Sequence, residues 1–384
     1  MNMRIVTLCN WFYPEASGKE LATFLHIRAL ANEGFKFIVI TNTSGNNYTK
    51  EIINHAIEIH RFPQIKYSEL ADLFYLKNYN KLMSQADKFY VLGKFNLLFL
   101  MKTKFKKPII THLHDYFPFC PYGIAYNRDN YSPCYSKSAR KCYRCISHKP
   151  FVIRIPKLFL SYSYEYFVEH FSNLILFPSQ ASRNLAIKLN PRITYKSFVV
   201  YNHLLSISYT PIYGNDIGFF GGLSVEKGAY FLIKAWRRIF NKYSTKLHMS
   251  RSLDLPSYME KLNIIPYGNL RGHIYNEVYK RIKAVVVPSL CPDTAPYVPV
   301  EACLRGRIVI ASKIGGIPEY VGDLPGVKLV PPNDINALSD ALEWVLSLNR
   351  NEATELGIKN REEILRRFDA GRITRLLIKI FEVV

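Results

Sequence analysis

At 384 residues, 48% hydrophobic and 21% charged, the chain can pack two or three domains, and it is neither disordered nor fibrous in composition. Its formal net charge of +21 implies an anionic partner: nucleic acid, a phosphorylated small molecule or the head groups of a membrane leaflet. Zinc-finger spacing with paired histidines and an RRM-like aromatic strand are both missing, which sets nucleic acid aside. No run approaches the roughly 18 apolar residues of a membrane span, and the opening MNMRIVTLCNWFYP lacks a signal-peptide layout. The expectation is a cytoplasmic protein, soluble or peripheral on the cytoplasmic membrane face.

From the N-terminus, 3–8 reads as a buried strand, 10–18 as a loop and 35–41 as a second strand. Between them, Leu21, Phe24, Leu25, Ile27 and Leu30 give 20–33 a helical period that stops at Gly34. A β-loop-α-β start predicts a Rossmann-like half. Residues 66–107 hold nine lysines against Glu69, Asp72 and Asp87, with a strand predicted over 89–92 and a helix over 95–106. This segment is either a solvated face or a patch facing an anionic membrane. In PIITHLHD, 108–115, strand alternation puts His112 and His114 on one face. Four of the seven cysteines follow within 26 residues: Cys120, Cys134, Cys142 and Cys145. Their spacing suits a structural zinc, two disulfides or four reduced thiols. A Tyr- and Phe-rich helix over 151–171, a strand at 174–177, a helix at 181–189 and a strand at 198–201 complete the half. The stretch 206–216, with Pro211 and Gly214, is the predicted hinge.

The second half opens with a strand at 217–220, then Gly221-Gly222-Leu223-Ser224-Val225-Glu226-Lys227-Gly228 and a helix from near Ala229. That order makes a phosphate cradle. Further on, Val285-Val286-Val287 reads as a buried parallel strand and Ile308-Val309-Ile310 as another. The helix between them begins near Pro296, presents the free amides of Tyr297 and Val298 to an anion, and stops at Arg305-Gly306. Asp293 precedes this helix and Glu301 lies about two turns inside it, with seven residues between them. Gly315-Gly316 allows a close loop approach before Pro318-Glu319 starts the next helix. Helices are expected over 338–348 and 362–381.

This pattern resembles the donor site of family 4 glycosyltransferases, in which two acids seven apart precede a Gly-Gly-x-Pro-Glu loop. Here it reads Asp293…Glu301 and Gly315-Gly316-Ile317-Pro318-Glu319, departing from the family at Asp293 (usually Glu) and Pro296 (often Gly). The resemblance implies an α/β GT-B fold: two Rossmann-like domains facing across a cleft, 1–210 with a Cys-rich insertion at about 116–150, and 211–365. A last helix in 366–384 would cross back to the first domain. It implies transfer of a sugar, with retention, from a nucleotide diphosphate sugar to a hydroxyl. Basic charge and aromatic surface point to a lipid-linked glycan as the acceptor, with a polysaccharide or a small molecule as the alternatives. Glu301 would bind ribose and Asp293 the donor sugar hydroxyls. Lys227 with the amides of Tyr297 and Val298 would hold the diphosphate, and His114 of the His114-Asp115 pair would contact the donor sugar. Gly18, Gly221, Gly222, Gly315 and Gly316 would line the donor, with Gly222 standing where the family has Arg. The cysteine insertion resembles a non-catalytic cap stapled by zinc or disulfides. SRSLDLPSY, 250–258, replaces the family's glycine turn. No Asp-x-Asp pair exists, so no divalent cofactor is expected for catalysis. A sugar-nucleotide epimerase or hydrolase of the same fold, or a non-catalytic nucleotide-sugar binding protein, are the rival readings.

Overall fold

The computed structural model describes residues 3–15, 18–63, 76–93, 107–127 and 132–384. Two compact units form: Met1–Ala125 with Cys134–His203 and Ala370–Val384, and Leu204–Asp369 with Tyr126–Pro133. In the first, β-branched runs build β1 (Arg4–Cys9), β2 (Lys36–Thr43), β3 (Thr49–Ile53), β4 (Ile57–Pro63), β5 (Lys88–Leu92) and β6 (Ile109–His112). A small pair, β7 (Tyr126–Asn127) and β8 (Ser132–Pro133), groups with the second unit, and β9 (Leu174–Phe177) and β10 (Ser197–Val199) complete the main sheet of the first. The order is β10-β9-β6-β5-β1-β2-β4-β3, parallel except for β3. A parallel sheet must be covered on both faces. The cover here includes α1 (Gly18–Asn32) and α2 (Leu76–Met83), and, after the short α3 (Ala139–Cys145), α4 (Phe151–His170) and α5 (Gln180–Leu189).

The second unit carries β11 (Asp216–Phe219), β12 (Leu247–Met249), β13 (Ile264–Pro266), β14 (Ile282–Val287), β15 (Ile308–Ser312) and β16 (Val327–Val330). All are parallel, in the order β13-β12-β11-β14-β15-β16. This is the doubly wound order, reversing between β11 and β14. Around it lie α6 (Ala229–Ile239), α7 (Gly272–Arg281), α8 (Tyr297–Leu304), α9 (Ile317–Val321), α10 (Ile335–Ser347) and α11 (Arg350–Arg367). Trp236 of α6 is fully buried and donates its indole N–H to the Leu262 carbonyl at 2.7 Å. Arg307 is also fully buried; it donates to the carbonyls of Thr210 and Tyr279 at 2.6 Å, fastening the chain that enters β11 to α7.

Several expectations need correction. The strand at 108–115 stops at His112, so His114 lies in the loop beyond it. The antiparallel β3–β4 pair was not anticipated. The helix expected over 362–381 is two, because Phe368 leaves the helical region (φ −107°, ψ 51°) and stacks on Tyr320 at 4.8 Å. Beyond that break, α12 (Ala370–Val383) belongs to the first unit, where Phe381 packs edge-on against Tyr90. The helix predicted over 95–106 and most of the lysine-rich stretch fall outside the described residues, as do Ala16 and Ser17 ahead of Gly18.

Candidate functional site

In an open parallel sheet, ligands bind beyond the carboxyl ends of the strands where the strand order reverses. Here that point lies between β11 and β14, and the loops leaving both strands meet. Leu290 N–H bonds the Glu226 carbonyl at 2.8 Å. Gly228 (φ 75°) sits so close to the other loop that an added Cβ would fall 1.9 Å from the Pro288 carbonyl oxygen. Across the junction the Lys227 ammonium meets the Asp293 carboxylate at 2.5 Å, and Ser289 Oγ donates to its second oxygen at 2.8 Å. Burial works to lower the Lys227 ammonium. The charge of Asp293, followed by Cys291 and Glu226, outweighs it and leaves Lys227 above the ordinary lysine value. The Gly315-Gly316 loop closes from beneath, with Gly316 N–H on the Asp293 carbonyl at 2.7 Å. Gly315 (φ 57°) is backed directly onto the Asp293 backbone, where a Cβ would come within 2.6 Å of its N and O. Gly221 lies against the Phe219 ring, which comes 2.7 Å from the Cβ that Gly221 lacks, with the Lys227 Cβ next at 3.2 Å. Lys227, Asp293, Gly221, Gly315 and Gly316 thus form one neighbourhood.

Pro296 caps α8 without a side-chain hydrogen bond, so Tyr297 and Val298 open the helix with free amide positions; Pro299 supplies no N–H. Glu301 sits in a different setting. Its nearly buried carboxylate accepts from Arg305 Nε at 3.0 Å and from the Tyr275 hydroxyl, while the Arg305 guanidinium lies 4.4 Å over the Tyr279 ring. Burial raises the Glu301 carboxyl above the usual carboxylate range against the pull of Arg305 and Tyr275. A ribose diol at Glu301 would share its carboxylate with these two groups.

In the first unit a pocket of about 330 Å³ is lined by Trp11, Lys19, Glu20, His114, Asp115 and Tyr122, among others. Gly18 opens α1 at its edge, and Lys19 pairs with Asp115 at 3.1 Å. The His114 ring lies 4.1 Å from that of His112, whose Nδ1 meets the Tyr90 hydroxyl at 2.7 Å. Burial first, then the nearby Lys19 charge, depress His114 to about 4, so it is neutral at pH 7. His26 stands between His112 and His203, with ring centroids 5.3 and 4.9 Å away. Cys120 and Cys142 are buried with thiols raised by that burial, and each feels Cys134. No disulfide joins the cysteines. Among the described residues no group of three or more His, Cys, Asp or Glu is arranged to hold a metal.

Arg251 escaped the sequence reading. It adopts a left-handed backbone (φ 53°), and its Cβ and Cδ lie 3.5 and 3.6 Å from the Cβ that Gly222 lacks. Gly221-Gly222 is therefore flanked by Lys227 on one side and Arg251 on the other. The available signal was a basic residue placed where a glycine turn is usual. Arg305 and Tyr275 escaped too, because only the folded chain brings them to Glu301.

Residues 214–348 match the family described as glycosyl transferases group 1. They belong to it. An uncharacterized glycosyltransferase of Methanocaldococcus jannaschii is 28% identical over 135 residues, 33% of this chain and 33% of that protein. The lipopolysaccharide 1,2-N-acetylglucosaminetransferase of Salmonella typhimurium is 31% identical over 145 residues, 31% of this chain and 38% of its own. The match thus spans 33% and 38% of the two curated relatives. Over the full length, the structure of Anabaena HepE in complex with UDP and glucose superposes with a TM-score of 0.70 at 18% identity, covering 100% of both chains. The fold is GT-B.

Proposed function

We propose that this protein moves a sugar from a nucleotide diphosphate sugar to a hydroxyl of a glycan acceptor, with retention, at a membrane face. The observation that carries the reading is the Lys227–Asp293 pair bridging the two loops at the strand-order reversal of a group 1 domain. Bond cleavage at the anomeric carbon leaves a diphosphate, and the group that stabilises that charge sets the rate. Lys227 turns from Asp293 to the diphosphate, joined by the amides of Tyr297 and Val298 at the head of α8 and by Arg251. Asp293, released, takes sugar hydroxyls. Glu301, held by Arg305 and Tyr275, receives the ribose as an acceptor of hydrogen bonds. His114, kept neutral, offers a hydrogen bond to a sugar hydroxyl without adding charge. The UDP in the Anabaena structure makes uridine nucleotides the first donors to test, and the Salmonella relative supports a glycan built on lipid. No helix among the described residues is long and apolar enough to cross a membrane, so contact with a bilayer would be peripheral.

The test is a thermal-shift screen against UDP-, GDP-, ADP- and dTDP-sugars, with Lys227→Ala and Glu301→Ala alongside. Stabilisation by one nucleotide class that both variants lose supports the site. Stabilisation that both variants keep refutes it.

A further inference from the structure

Helix α4 buries one side and leaves the other bare. Ser161, Tyr164, Phe167 and Val168 face inward, the last three within the core of the first unit. Phe151, Val152, Ile155, Phe159, Tyr162 and Tyr166 are each between 37% and 77% exposed. At 3.6 residues per turn these six fall within an arc of about 100°. Single exposed apolar residues are ordinary, whereas a continuous stripe along more than four turns marks an interaction surface.

The surroundings of the stripe carry one sign of charge. Residues 130–164 contain seven Lys and Arg and no Asp or Glu. Arg140, Lys141 and Arg144 stand exposed on α3 just before α4, and Arg154 lies 5.6 Å from the Tyr143 ring, tying the two helices together. The acids of α4 come later and are engaged: Glu165 by Lys137 and Asn190, Glu169 by Asn190 and Arg192.

We propose that this face docks on an anionic lipid surface, with Phe151, Val152, Ile155 and Phe159 entering the interfacial layer and the α3 cations meeting the head groups. Apolar insertion and electrostatic attraction act together at such surfaces. A second copy of the chain fits worse, because two such faces would oppose like charges with no carboxylate between them. This deepens the membrane-face reading above by naming the surface.

The experiment is co-sedimentation of the full chain with vesicles of phosphatidylcholine alone and of phosphatidylcholine mixed equally with phosphatidylglycerol. Expected is binding to the mixed vesicles that weakens with salt. It should drop about tenfold or more in the Phe151→Ser, Ile155→Ser, Phe159→Ser triple variant. The Arg140→Gln, Lys141→Gln, Arg144→Gln variant should lose the preference for anionic lipid. All substituted positions are exposed, and retained stabilisation by a nucleotide sugar confirms that the variants fold. Equal binding to both vesicles, or undiminished binding by the serine variant, overturns the proposal. So does self-association that the serine variant relieves while wild type ignores lipid. Lipid binding without stabilisation by any nucleotide sugar would instead count against the donor site alone.

Discussion

Acidification should unfold the first unit well before ordinary carboxylates titrate. Four imidazoles are packed together there: His26, His112 and His203 are buried, and His114 lies against His112. Burial depresses His114 and His203 from 6.5 to about 4, and His26 and His112 well below 6.5. The neighbours modulate this modestly: Lys19 lowers and Asp115 raises His114, and the Ala370 backbone raises His203. Because each folded value lies below the unfolded one, the unfolded chain binds more protons between about pH 4 and 6.5. The stability these groups contribute is complete above 6.5 and is lost as pH falls through that window. Each pH unit is worth about 1.4 kcal/mol per group, so moving from pH 7.5 to 5.5 costs about 1.3 kcal/mol for each of His114 and His203. His26 and His112 shift in the same direction and add to the loss, which is a large fraction of the stability of a marginal domain. Urea denaturation at pH 7.5, 6.5 and 5.5 measures it. A midpoint that does not fall, or falls equally in a His26→Phe, His203→Phe variant, refutes the argument.

Arg251→Ala should weaken binding of a UDP-sugar about tenfold, the usual scale for one charge-assisted hydrogen bond, without lowering the melting temperature. Calorimetric titration reads this, and unchanged affinity removes Arg251 from the site. Gly315→Ala should cost about 1–3 kcal/mol, since it forces a side chain into a left-handed position against the Asp293 backbone; thermal melting checks it. Catalysis should persist in EDTA, because the proposed diphosphate site relies on Lys227, Arg251 and backbone amides. Activity abolished by the chelator and restored by magnesium would show that a metal shares that charge.

Much of the second unit was legible because its signals are local. A three-valine strand, a proline-started helix and glycines at turns each announce themselves within a few residues, and β14, α8 and β15 fall where those signals point. The gap in reading 362–381 has a tertiary cause: Phe368 suits a helix by itself, and in the fold it leaves the helix and stacks on Tyr320, remote in the chain. His112 and His114 share a face under strand alternation, yet the strand ends before His114, and the two rings still lie 4.1 Å apart, tilted by 32°.

By itself, the sequence determined the two Rossmann-like halves, the glycines that let loops approach, and which acids and lysine stand at the right loops, because periodicity and turn chemistry are read within a window of a few residues. Only the tertiary structure decided which charges meet. Lys227 finds Asp293 66 residues away, Glu301 is claimed by Arg305 and Tyr275, and histidines from positions 26, 112, 114 and 203 share one interior. It also decided that one side of α4 stays uncovered. Pairing and burial depend on neighbours remote in the chain, and no local pattern encodes them.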